Sequence, residues 1–217
     1  MPPKEFVDIE AIAAVRLGML EERGIRRKLS PTERLADGTV TRNGQPMLSF
    51  CDNDYLGLSS HPRVIEAAIE ATRKYGTGAG AARLVTGDNP LNEKLEAKIA
   101  RMKGMPAARV FGSGYLANAG VIPALVGAGD LIVMDELCHA SMHAGARLSG
   151  ARVQTFPHNN VASALHYLQQ RDATSHALLL TETVFSMDGD LAPLEELAQA
   201  ARETGAWMMT DDAHGFG

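Results

Sequence analysis

Ile9, Ile12, Ala13, Leu17 and Leu20 recur at helical spacing with charges between them, so the pattern predicts a helix over residues 6–28. The stretch T-V-T-R-N-G-Q-P-M-L-S-F at 39–50 reads as a hairpin. Its Asn43-Gly44 pair suits the positive backbone angles of a tight two-residue turn. Pro62 stands where a helix can begin, and V-I-E-A-A-I-E-A-T-R-K-Y carries it to Gly76. A glycine-rich loop, G-T-G-A-G, follows at 76–80, then a further helix over about 91–102.

From residue 108 onward the pattern alternates. Short apolar runs at 108–111, 131–134, 152–156, 177–182 and 207–210 are predicted strands. Helical stretches lie near 115–126, 139–148, 160–170 and 193–203. The alternation predicts an α/β fold with a mainly parallel sheet and helices on both faces. Unbroken apolar strands suit a sheet buried on both sides. No internal repeat, low-complexity tract or linker interrupts the chain. Such sheets bind ligands beyond the carboxyl ends of their strands. The chemistry is therefore expected in G-S-G-Y (112–115), D-E-L-C-H (135–139), P-H-N-N (157–160), T-V-F-S-M-D-G-D (183–190) and D-D-A-H-G (211–215).

Composition narrows the class. The 217 residues are 45% apolar, enough for a substantial core in one large domain or one and a half. A net charge of −5 gives no general attraction to nucleic acid or anionic membranes. No apolar run is long enough to span a bilayer. The first residues carry acids and no apolar signal core, so a cytoplasmic location is expected. Cys51 and Cys138 are too few for a disulfide framework or a metal cage and read as buried thiols.

Each segment has a functional and a plain reading. Gly112-Ser113-Gly114-Tyr115 can hold a phosphate on the N–H groups of a helix start, or be an ordinary strand-to-helix turn. G-S-G-Y-L-A also matches a dinucleotide fingerprint ending at Ala117, with Asp135 about twenty residues on to take a ribose. An NAD-binding oxidoreductase domain is therefore an alternative. His139 can stack on a planar cofactor or relay a proton, or be a partly buried polar group. With His143 it forms a one-turn pair, but without the H-E-x-x-H pattern of a metal site. Asp188-Gly189 accounts for part of the 183–190 loop as a turn. Asp211 and Asp212 are costly at the end of an apolar strand unless used, whether for a protonated ring nitrogen, a metal or a helix cap. Arg26 and Arg27 suit a helix C-terminus. The lysines are Lys4, Lys28, Lys74, Lys94, Lys98 and Lys103, and none follows a strand in the second half.

Taken in order, N-D-Y-L-G-L-S-S-H-P (53–62), G-T-G-A-G-A-A-R-L-V-T-G (76–87), G-S-G-Y-L-A-N (112–118), C-H-A-S (138–141), F-S-M-D-G-D (185–190) and D-D-A-H-G (211–215) resemble the α-oxoamine synthase family of pyridoxal-phosphate enzymes. The resemblance runs from about residue 16 to the end and implies an incomplete major domain of the fold-type-I, aspartate aminotransferase-like architecture. It implies a helix-and-hairpin segment at 1–45 and the cofactor-binding domain at 46–217. Gly114 and Tyr115 would hold the cofactor phosphate. His139 would stack on the pyridine ring, and Asp211 would pair with its nitrogen. Ser186 and His214 would hydrogen-bond the cofactor, His214 at the phenolic oxygen. Arg26 would lie near the acyl substrate, and Asn53 and Glu182 would shape the substrate pocket. The activity implied is decarboxylative condensation of an amino acid with an acyl thioester. N-D-Y-L-G-L-S together with D-D-A-H-G points to L-alanine and a pimeloyl thioester, on CoA or a carrier protein, in biotin synthesis. Glycine or serine with another acyl-CoA is the alternative within the family.

The family also implies a homodimer with active sites at the interface, helped by the N-terminal helix and the 76–87 loop. The Schiff-base lysine, a further phosphate-binding threonine and a small C-terminal domain would follow Gly217. The chain is thus expected to be an N-terminal part that does not turn over alone. Ala82, Asn92 and Thr183 stand where the family usually has Ser or Thr, His, and Gly. A non-catalytic fragment that pairs with an intact subunit is a third reading.

Overall fold

The computed structural model describes residues 8–35 and 38–216. Residues 6 and 7 of the predicted first helix lie outside them. The chain divides into two compact units, Met1–Asp88 and Asn89–Gly217.

In the first unit, helix α1 (Ile9–Glu22) starts at Asp8, whose side chain accepts the Glu10 N–H. It ends six residues before the predicted limit. Gly24 takes φ 66°, its N–H bonds Glu21 O, and the Ile25 N–H reaches back to Leu20 O. This left-handed cap closes the helix, so Arg26 and Arg27 lie beyond the helix end they were expected to occupy. None of the α1 residues is buried. Strands β1 (Thr32–Arg34), β2 (Thr39–Arg42) and β3 (Gln45–Leu48) form an antiparallel sheet in that order. The β2–β3 turn is the expected one, with Asn43 and Gly44 at φ 52° and 73°. β1, T-E-R, carries no apolar alternation and was not legible. Cys51, expected buried, is exposed in the irregular segment after β3. Helix α2 (Pro62–Tyr75) begins and ends as expected.

In the second unit, α3 (Pro90–Lys103) and α4 (Gly114–Leu125) precede an alternating series. It runs β4 (Leu131–Asp135), α5 (Ala140–Ser149), β5 (Arg152–Phe156), α6 (Val161–Gln169), β6 (Ala177–Glu182), α7 (Leu194–Thr204) and β7 (Trp207–Asp211). The four strands are parallel in the order β5-β4-β6-β7. The predicted strand at 108–111 is not one. It pairs with no strand among the described residues, and the Val110 N–H donates instead to Glu96 Oε1 on α3, at 2.9 Å.

Unbroken apolar runs sort themselves by the period of two. Leu131, Val133 and Leu179 turn to one face and pack with Leu168 of α6 and Leu197, Ala200 and Ala201 of α7. Ile132, Met134, Leu178 and Leu180 turn to the other, against Ile122 of α4 and Met142 and Ala146 of α5. Both faces are thus covered, as the strand composition required. The chain leaves β4 toward β5 on one side, whereas β6 leads to β7 on the other. The order reverses between β4 and β6, and sheets of this kind bind ligands beyond the carboxyl ends of the strands at such a reversal. No helix among the described residues is long and apolar enough to cross a membrane.

Candidate active site

Three loops meet the end of the sheet at this reversal. After β4, His139 caps α5, its Nδ1 accepting the Ser141 N–H at 3.2 Å. β6 ends at Glu182 and leads into the loop bearing Ser186. β7 ends at Asp211, followed by Asp212 and His214. On the α4 side, Ser113 is extended and its hydroxyl accepts the Leu116 N–H at 3.1 Å. That leaves the N–H groups of Gly114 and Tyr115 as ones the helix cannot use, a ready place for an anion. This stretch is exposed.

Asp211 and His139 are joined through two buried side chains. Asn118 on α4 donates to Asp211 Oδ2 at 2.8 Å and to Ser141 Oγ at 2.9 Å. Ser141 Oγ lies 2.6 Å from His139 Nδ1. The other Asp211 oxygen accepts the Ala213 N–H at 3.1 Å. Asn118 sits one turn inside α4, close against α5. A Cβ built on Gly145 of α5 would fall 2.5 Å from the Asn118 carbonyl oxygen, so only glycine permits this approach.

Glu182 is buried, and its Oε1 has no hydrogen-bond partner. Burial pushes its carboxyl above the ordinary carboxylate range and nearby Asp211 adds to this, while the His139 and Ser186 N–H groups pull the other way. An acid kept dry with an unused oxygen is unusual outside a functional site.

The adjacent acids of D-D-A-H-G part company. Asp212 turns away from Asp211 to pair with Lys103 of α3 and to accept from Thr183 Oγ1 at 2.5 Å. Burial opposes its ionisation, but Lys103 and Thr183 outweigh that and hold the Asp212 carboxyl below its usual range. The turn carrying the half-buried His214 is therefore anchored from two sides. Thr183 supplies one of those anchors.

His158 and Asn118 were not singled out from sequence. His158 after β5 bridges two acids, with Nδ1 3.0 Å from Asp135 Oδ1 and Nε2 2.8 Å from Asp190 Oδ2. Its ring also meets Phe185 edge-on at 4.4 Å. It thereby ties β4 to the loop that holds Ser186. Its place in P-H-N-N after a strand was the available signal. For Asn118 the signal was a lone amide within an apolar helix. The cluster also removes the dinucleotide reading. Asp135 is fully buried, and its oxygens are taken by His158 and the N–H groups of Leu137 and Asn159. No strand precedes the glycines either. Cys138 is buried and donates to Leu180 O at 3.6 Å, and burial pushes its thiol far up, away from reactivity. Arg26 and Asn53 belong to the first unit, where Arg26 pairs with Glu21 at 2.9 Å and Asn53 Oδ1 accepts from Tyr55 at 3.3 Å.

The structure thus brings together His139, Asp211, Glu182, Ser186, His214 and the Gly114–Tyr115 helix start around one end of one sheet. This is a parallel α/β domain with an acid, an imidazole and an open helix start beyond the carboxyl ends of its strands. The chain belongs to the aminotransferase class I and II family, whose model it matches over residues 45–217.

It is 52% identical over 210 residues to the 8-amino-7-oxononanoate synthase of Maricaulis maris, covering 96% of this chain and 54% of that protein. It is 54% identical to the Methylobacterium radiotolerans protein of the same name, covering 96% and 56%. Among solved structures it resembles a serine palmitoyltransferase variant from S. paucimobilis with a bound PLP–myriocin aldimine, at 27% identity and a TM-score of 0.85 over 94% of this chain and 52% of that one. The resemblance to α-oxoamine synthases read from the motifs is borne out by these relatives. The chain spans about half the length of the curated relatives it matches.

Proposed function

We propose that this chain supplies the cofactor-binding part of a pyridoxal-phosphate-dependent acyltransferase. The full protein would join L-alanine to a pimeloyl thioester with loss of carbon dioxide, giving 8-amino-7-oxononanoate for biotin synthesis in the cytoplasm. The observation that carries the reading is the Asp211 carboxylate, fixed at the end of β7 and linked through Asn118 and Ser141 to His139 on the same side of the sheet.

The residues present fit the cofactor. The helix start at Gly114 and Tyr115 suits a dianionic phosphate. An acceptor-only carboxylate at Asp211 suits a protonated pyridine nitrogen. Glu182 Oε1 is a buried acceptor that the protein itself leaves without a partner. When bound, pyridoxal phosphate supplies an aldehyde that captures an amine and a ring that draws electrons from the bond broken at the α-carbon.

The chain's own residues do the rest. With the cofactor bound, Asp211 would keep the proton on the ring nitrogen, His139 would pack over the ring from the start of α5, and Ser186 and His214 would hydrogen-bond its substituents, His214 at the phenolic oxygen. Glu182 would shape the space for the amino acid. Of the two compact units we read Asn89–Gly217, which carries His139, Ser186, Asp211 and His214, as the cofactor-binding one. The protein works as a homodimer, a reading supported by helix α1, all of whose apolar residues remain exposed.

Titration of the chain with pyridoxal phosphate, followed by absorbance, tests the reading, with the full-length protein assayed for thiol release from pimeloyl-CoA dependent on L-alanine. Binding that fails in D211A supports it. Binding indifferent to Asp211, or thiol release that prefers glycine or serine, would remove it.

A further inference from the structure

We infer that Asn118 and Ser141 are positioning residues, which orient the Asp211 carboxylate and hold His139 in the single tautomer with its hydrogen on Nε2. The meaning of this for catalysis rests on the cofactor reading above, whereas the geometry stands on hydrogen-bond chemistry alone.

The direction of every bond follows from what each atom can do. A carboxylate oxygen only accepts, so Asn118 must present its amide nitrogen to Asp211 Oδ2, 2.8 Å away. That nitrogen has a second hydrogen, and Ser141 Oγ lies 2.9 Å from it. An Oγ that accepts from Asn118 has its own hydrogen to give, and His139 Nδ1 lies 2.6 Å away. The Ser141 backbone N–H points at the same Nδ1, at 3.2 Å. Two donors converge on Nδ1, so it is the acceptor and the ring hydrogen belongs on Nε2.

Burial makes the arrangement hard to rearrange. Asn118 is 5% exposed and Ser141 1%, and a buried polar group deprived of its partner is costly. The glycine contact at Gly145 fixes the spacing of α4 and α5 across which the relay runs. A movement of the Asp211 carboxylate is therefore passed through Asn118 and Ser141 to the His139 imidazole.

The test is heteronuclear NMR of the chain carrying isotope-labelled histidine, with H139Q used to find the His139 signals. The wild type should show Nδ1 bare and Nε2 protonated. S141A should add the opposite tautomer. N118A should do the same, because the Ser141 hydroxyl is no longer aimed, and should weaken pyridoxal-phosphate binding about tenfold through loss of a hydrogen bond to a charged group.

A wild type with hydrogen on Nδ1, or tautomers unmoved in both variants, overturns the inference. The two readings fail separately. If the tautomers respond as stated but wild type binds no pyridoxal phosphate, the proposed function falls and the relay stands. If the cofactor binds and the tautomers do not respond, the relay falls alone.

Discussion

Replacing Gly145 by alanine opposes two effects of known size. An alanine in a helix interior is favoured over glycine by about 1 kcal/mol. On propensity alone G145A should stabilise α5. The added Cβ, however, would lie 2.5 Å from the Asn118 carbonyl oxygen and 2.9 Å from Ile122 Cδ1. A carbon rests against such an oxygen at about 3.3–3.6 Å, so α4 and α5 must part by roughly 1 Å. Overpacking costs about 1–3 kcal/mol, and the upper end applies because a helix carbonyl cannot rotate away. The net loss is about 2 kcal/mol, a fall in Tm of roughly 4–8 °C for a domain of this size.

Urea unfolding followed by circular dichroism and by the fluorescence of Trp207, the single tryptophan, measures it. G120A in α4 is the control. Its Cβ meets only Phe111 Cε1 at 3.4 Å, and it should be neutral or stabilising. A G145A midpoint at or above wild type would refute the argument that the closeness of α4 and α5 is what demands glycine.

Three further outcomes follow from the same geometry. Burial works against a charged His158, yet its bonds to Asp135 and Asp190 prevail and raise its pKa above the usual 6.5. A raised histidine contributes stability that is whole below the unfolded value and lost as pH rises through the folded one. H158A should therefore cost about 3 kcal/mol near pH 6, with the gap to wild type narrowing as pH climbs from 6.5; a gap that widens instead would contradict it.

Glu182 is the opposite case, an acid whose folded value is raised by burial above 4.5. The folded state holds that proton more tightly than the unfolded chain, so stability falls as pH rises through this range. E182Q should then stabilise by about 1 kcal/mol at pH 8 and by nothing at pH 4, as thermal melts at the two values would show. L179A, in the central strand β6 and fully buried, should cost about 3–4 kcal/mol with an unchanged urea m-value.

Local chemistry was legible wherever a residue's role depends on its neighbours along the chain. Pro62, Asn43-Gly44, Ser113 and the apolar runs from β4 to β7 act through backbone angles, caps and the period of two, all of which are written in the order of residues. The six motifs did more together than singly, because only one family of sites needs them in that sequence. The failures also had local causes that went unread, such as Gly24 stopping α1 at Glu22.

Tertiary structure alone decided the rest. Residues 108–111 look like a strand, but a strand exists only if a neighbour accepts its hydrogen bonds, and Glu96 claims the Val110 N–H first. Asp135 had the spacing of a ribose ligand until His158 and Asn159 enclosed it. Asn118 could not be told from any polar helix residue until α4 lay against α5 and brought Asp211 within reach, 93 positions away. Periodicity is a property of the chain, whereas the partner of a buried polar group is fixed by which elements pack together.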